Sequence, residues 1–133
     1  MFNMDMRLRG LAKENRDIKV AVVGTGKMGK GLVNQMSRIE GMMPALVINR
    51  NVSKAIDALI SSGIAKEDIV VSNSLKKINY SLEKGRYVAA EYMELAAEAN
   101  IIDAVVDATG VPEVGAKLSL QAIYNRKHII MLN

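Results

Sequence analysis

Gly24, Gly26 and Gly29 stand at the spacing G-x-G-x-x-G, inside Gly24-Thr25-Gly26-Lys27-Met28-Gly29. Residues of this type at this spacing suit one kind of chemistry, the holding of a phosphate. Glycine at the first position permits a tight turn with positive φ. At the second it lets bare backbone approach an anion, and at the third it lets a helix pack closely on a strand. A helix opening there aims its free N–H groups and the positive end of its dipole at a pyrophosphate. Gly24, Gly29 and Lys30 also fit most of a triphosphate-binding loop. That motif requires a Ser or Thr next to hold Mg²⁺, and here Gly31 follows.

The loop needs a strand before it and a helix after it, and the sequence supplies both. Ile18–Val23 is an apolar strand, and Leu32, Val33, Met36 and Ile39 recur at helical spacing. A short apolar run, Ala45–Ile48, ends about 20 residues past the glycines, where a second strand judges the adenosine ribose. Strand, loop, helix and second strand together open a dinucleotide-binding fold.

The end of that second strand reads the cofactor. An NAD site presents Asp or Glu there to accept from the ribose hydroxyls. This chain has Asn49, then Arg50 and Asn51, with Ser53 and Lys54 close behind. An amide does not repel a 2′-phosphate, and a guanidinium grips one bidentately. The expectation is NADP, with NAD as the other cofactor this fold accepts. Thr25, Lys27 and Met28 belong to the same phosphate loop.

The remainder alternates strands and helices. A helix over Ala55–Ile60, capped by Ser53, leads to a strand at Asp68–Ser72. A polar, weakly helical stretch then runs to Gly85, and Tyr87–Ala89 reads as a short strand at an edge or in an excursion. Glu91–Ala99 is helix-forming, and Ile101–Asp107 is a fourth major strand. Ala108-Thr109-Gly110 closes it beside the nicotinamide ribose, and Pro112 starts a helix expected to bury Val114, Leu118, Leu120, Ala122 and Ile123. His128–Leu132 is the last strand. Consecutive parallel strands need crossovers, so the class is α/β, a doubly wound parallel sheet of Rossmann type in a single domain. The loops Gly24–Gly29, Asn49–Ser53 and Ala108–Pro112 should converge beyond the carboxyl ends of the strands. Asp107 reads as a strand-end carboxylate satisfied by nearby N–H groups, with a catalytic role as the alternative. His128 reads as structural or exposed.

Composition bounds the rest. The 133 residues suit one domain, and half are hydrophobic, with four Tyr, one Phe and no Trp. Residues 1–16 are charged and lack the apolar core of a secretory signal; they read as a short helical extension before a nucleotide-binding domain at 17–133. No Cys is present, which fits a reducing cytoplasm and excludes thiolate catalysis. No run reaches the roughly 20 apolar residues of a membrane span. The net charge of +4 is dispersed, with no basic run interleaved with aromatics, so neither nucleic acid nor membrane is an expected partner. No metal site is expected.

Ile18–Gly31, Val47–Asn51, Ile102–Pro112 and Lys127–Asn133 resemble the N-terminal part of homoserine-dehydrogenase-like oxidoreductases, nearest the branch with a later SAF domain and an activity like deoxyxylulose-phosphate reductoisomerase. The resemblance implies a nicotinamide-cofactor domain whose relatives continue into a catalytic domain that this chain lacks. It implies cofactor contacts at Gly24, Gly26, Lys27, Met28, Gly29, Asn49, Arg50, Thr109 and Gly110, and supplies no catalytic residue. It also implies partnership with that missing domain, hydride transfer on a small polar alcohol or carbonyl in the parent enzyme, and sheet edges open to self-association. The alternative is a stand-alone module that senses a dinucleotide or coenzyme A without catalysis.

Overall fold

The computed structural model describes residues 17–132; the extension expected at 1–16 lies outside them. Six strands form one sheet: β1 (Ile18–Val23), β2 (Met42–Ile48), β3 (Ile69–Val71), β4 (Tyr87–Ala90), β5 (Ala104–Asp107) and β6 (His128–Met131). Their order is β3-β4-β2-β1-β5-β6, and every pairing is parallel. The connections carry α1 (Lys27–Ser37), α2 (Val52–Ser61), α3 (Leu75–Glu83), α4 (Glu94–Glu98) and α5 (Pro112–Tyr124). A 3-10 turn at Lys66–Asp68 precedes β3.

The sheet is covered on both faces, as its runs of Val, Ile and Ala require. On one face Val20, Val22, Val47 and Val106 meet Val33 and Met36 of α1 and Ala55 and Leu59 of α2. On the other, Ala21, Val23, Leu46, Ile48 and Val105 meet Ile78 and Leu82 of α3, Leu95 of α4, and Leu118 and Ala122 of α5. Each fully buried Leu or Ile contributes about 1.5–3 kcal/mol against leaving it exposed. The doubly wound sheet is therefore as the sequence requires, with the strand order reversing between β1 and β5.

Several boundaries differ from expectation. β2 begins at Met42, directly after Gly41 with its φ of 89°, and so contains Pro44. The pairing shifts there: Lys19 faces Met43 and Ala21 faces Leu46, so β2 carries one extra residue. A bulge is where a sheet tolerates a residue without an N–H. β4 is no edge strand; it lies between β3 and β2, because the crossover through α3 steps back toward the centre. β5 is shorter than the expected strand, and α4 covers only the later part of Glu91–Ala99.

α5 buries Gly115, Leu118 and Ala122. Leu120 and Ile123, expected inside, are exposed, as is Tyr124. Residues 115, 118 and 122 share one helical face, and 120, 123 and 124 turn away from it. Ile130 and Met131 of β6 are also exposed, so the outer side of α5 and β6 presents apolar groups.

Candidate functional site

The start of the glycine loop is held by the sheet on both sides of β1. The N–H of Gly24 donates to Ile48 O at 2.8 Å, and the N–H of Ala108 donates to Val23 O at 2.8 Å. The ladder thus runs on past the ends of β1, β2 and β5 and fixes where their loops depart.

Each glycine of the loop has its own constraint. Gly24 has φ +97°, and a Cβ there would lie 2.9 Å from the carbonyl of Ala108. A Cβ on Gly29 would lie 2.0 Å from Gly24 O and 3.2 Å from the Cβ of Ala108. Both positions are filled by the protein's own backbone. Gly26 is different: a Cβ there would meet nothing within 4 Å. Its φ of −67° is ordinary, so neither backbone strain nor packing demands glycine at that position.

Gly26 is also the N-cap of α1. No side chain caps this helix and no acid stands in its first turn. The other described α-helices differ: Asn51 caps α2, Ser74 caps α3, and Glu94 and Glu113 stand in the first turns of α4 and α5. The N-terminus of α1 therefore keeps its orphan amides and partial positive charge unanswered by the protein.

Gly24, Thr25 and Gly26 form one wall of a cleft of about 540 Å³, within the usual range for a small-molecule site. Asn49 and Arg50 come to it from the end of β2, and Ala108 and Thr109 from the end of β5. The three loops converge as the topology dictates. Lys27, Met28, Gly29, Asn51, Ser53 and Gly110 do not line it; Lys27 and Met28 are exposed beside the loop. Sequence reasoning missed a fourth wall, Glu91-Tyr92-Met93-Glu94, which follows β4. Only the place of β4 next to β2 brings it there. Ile48, Met93, Val111 and Val114 make much of the surface apolar.

The polar groups are arranged in short chains. Asn49 Oδ1 accepts from the N–H of Asn51 at 2.9 Å, and Asn49 Nδ2 donates to Thr25 Oγ1 at 2.7 Å. Asn51 Oδ1 accepts from the N–H of Ser53 at 3.2 Å and from its hydroxyl at 2.6 Å. Asn51, not Ser53, is thus the cap of α2; both residues are good caps, and the turn geometry selects the earlier one. At β5, Asp107 is buried and its Oδ1 accepts from the N–H of Thr109 at 3.0 Å and from its hydroxyl at 2.7 Å. The Thr109 oxygen accepts from the N–H of Val111 at 3.3 Å. The hydroxyl proton of Thr109 is therefore in use, and Asp107 is a turn-forming carboxylate.

The carboxylates of the fourth wall have partners as well. Glu91 Oε1 accepts from Asn73 Nδ2 at 2.9 Å, and Glu94 lies 3.7 Å from Lys117 Nζ. Arg50 is exposed and has no carboxylate partner among the described residues. Two groups with shifted proton affinity lie at the opposite ends of the strands. Burial lowers the pKa of Lys127, partly opposed by Asp103, and burial with Asp17 and Asp68 raises that of Tyr87. His128 is exposed at the start of β6.

Solved structures place this architecture. The myo-inositol dehydrogenase of Lactobacillus casei, solved with NAD(H) and myo-inositol, superposes with a TM-score of 0.62 at 19% identity. The fold is Rossmann-like, a single α/β domain. The scyllo-inositol dehydrogenase of the same organism, solved with NAD(H) and scyllo-inositol, gives 0.62 at 16% identity. A UDP-N-acetylglucosamine 3-dehydrogenase from Acidithiobacillus ferrooxidans gives 0.52 at 15% identity. The matches cover 86%, 86% and 85% of this chain, which spans only 28%, 27% and 27% of those proteins. None of the three is a homoserine dehydrogenase, and at these identities the likeness is one of fold. No family model and no curated protein sequence matches the chain. No helix among the described residues is long and apolar enough to cross a membrane.

Proposed function

We propose that the chain is the nicotinamide-dinucleotide-binding part of an oxidoreductase. The observation that carries this reading is Gly26. It sits at a bare helix N-terminus, on the wall of the cleft, with open space where a side chain would be and no structural need for glycine. A diphosphate would use that space and the amides behind it. Gly24 and Gly26 would hold the pyrophosphate, with Lys27, Met28 and Gly29 completing the first turn behind it. Asn49, Arg50, Asn51 and Ser53 would hold the adenosine ribose. Ala108, Thr109 and Gly110 would pass beside the second ribose. The bound nicotinamide would supply the hydride chemistry; this chain orients it and sets the local field.

NADP is the finer form of the reading. It is supported by an amide where a carboxylate would reject the 2′-phosphate, and by the uncommitted guanidinium of Arg50. The three dehydrogenases above are more than three times as long as the segment they share with this chain, which supports a parent enzyme with a separate catalytic part. That part would rest on the exposed apolar side of α5 and β6. The homoserine-dehydrogenase-like branch, and a small polar alcohol or carbonyl as substrate, rest on the residue pattern alone.

Calorimetric titration with NADPH, NADH, coenzyme A and ATP tests the reading. NADPH should bind best, and Gly26→Ala should weaken it at least tenfold with no loss of melting temperature. Arg50→Ala should weaken NADPH about tenfold and leave NADH unchanged. Tighter binding of coenzyme A, or Gly26→Ala without effect, would refute the assignment.

A further inference from the structure

The end of β2 carries a hydrogen-bond chain whose direction can be worked out. The N–H of Asn51 must be donated, and it goes to Asn49 Oδ1 at 2.9 Å. That fixes the amide of Asn49, so its Nδ2 is the group that reaches Thr25 Oγ1 at 2.7 Å. Thr25 is 8% exposed and stands between Gly24 and Gly26. The bond therefore ties the phosphate loop directly to the strand end that faces the ribose. Further along, Asn51 Oδ1 is taken twice by Ser53. Both side-chain carbonyls at this end are already accepting. The donors left over are the second N–H of Asn49 and the guanidinium of Arg50, while Asn49 Oδ1 already holds the N–H of Asn51.

A ribose diol is recognised by an acceptor that takes its hydroxyl protons, whereas a phosphate monoester brings acceptors and needs donors. We infer that the Thr25–Asn49 hydrogen bond is a selectivity latch, with Thr25 as a positioning residue that turns the donor side of Asn49 toward a 2′-phosphorylated ribose. This rests on the reading of the cleft as a nicotinamide-dinucleotide site. Without Thr25 Oγ1 the amide keeps one anchor of two, the N–H of Asn51 on its oxygen, and its donor side is no longer held to the phosphate loop. The latch also sets the spacing between the phosphate seat and the ribose seat, since one bond joins the two loops.

The test measures Kd for NADPH and NADH by calorimetry on the wild-type chain, Thr25→Val, Thr25→Ser and Asn49→Asp, with melting curves for each. Thr25→Val keeps the shape and removes the acceptor. It should lower the NADPH-to-NADH preference about fivefold or more, the value of one lost hydrogen bond, and Thr25→Ser should restore it. Asn49→Asp should reverse the preference, which also covers the case that Thr25→Val does not fold. Equal weakening of both cofactors in Thr25→Val, or an unchanged preference in Asn49→Asp, would overturn the latch. Failure of the wild-type chain to bind either dinucleotide would instead overturn the reading of the cleft, and the latch with it.

Discussion

Two strand-to-helix turns flank the point where the strand order reverses, and they are finished in opposite ways. The turn after β5 uses its own groups: Asp107 takes both donors of Thr109, Thr109 takes the N–H of Val111, and Pro112 and Glu113 open α5. The turn after β1 leaves its helix without a capping side chain or an acid, and turns Gly26 to open space. The turn after β5 satisfies its own polar groups and so offers the cleft a surface more than free donors. A turn that leaves them free at a cleft wall is arranged for something else to satisfy them.

Three substitutions would break or sharpen this contrast. Gly29→Ala has the largest effect. Its Cβ would run into the carbonyl of Gly24, 2.0 Å away, and the backbone must move. A loss of about 3 kcal/mol in chemical denaturation is expected. Asp107→Ala should cost about 2 kcal/mol by the same measurement, because it strips the acceptor from two hydrogen bonds of Thr109. It should weaken the dinucleotide less than Gly26→Ala does, because Thr109 borders the cleft with its hydroxyl proton already donated to Asp107. Gly110→Ala is the smallest. It has room for a Cβ but a φ of +70°, so about 1 kcal/mol is expected from backbone strain alone. If it weakened NADPH as much as Gly26→Ala, the two turns would not differ as described.

Much of this was legible in the sequence where the signal is local. β1, the glycine loop and α1 follow from an apolar run, three glycines and a 3.6-residue period. The convergence of three loops follows from the alternation of strands and helices, because parallel strands put all their ends on one side. What the sequence concealed depends on distant pairing. Tyr87–Ala90 looks like a strand at an edge or in an excursion, and only its two neighbours, β3 and β2, make it interior and bring Glu91–Glu94 to the cleft. Apolar residues occur on both sides of α5, and nothing local distinguishes Leu118, which is buried, from Leu120, which is not. Ser53 and Asn51 are both good caps two residues apart, and the choice rests on the turn.

Pro44 has a consequence for parity. Ala45 and Leu46 are adjacent in the chain yet belong to the same packed layer, which a regular strand forbids. The doubled step resets odd and even along the rest of β2, so it helps decide on which side Asn49 emerges. Losing or gaining a single residue between Gly41 and Leu46 would reverse that setting, and Asn49 would leave the strand facing away from Thr25. Changes of two residues would preserve it. The bulge is thus a phase adjuster, tuning from within the sheet a contact formed at its rim.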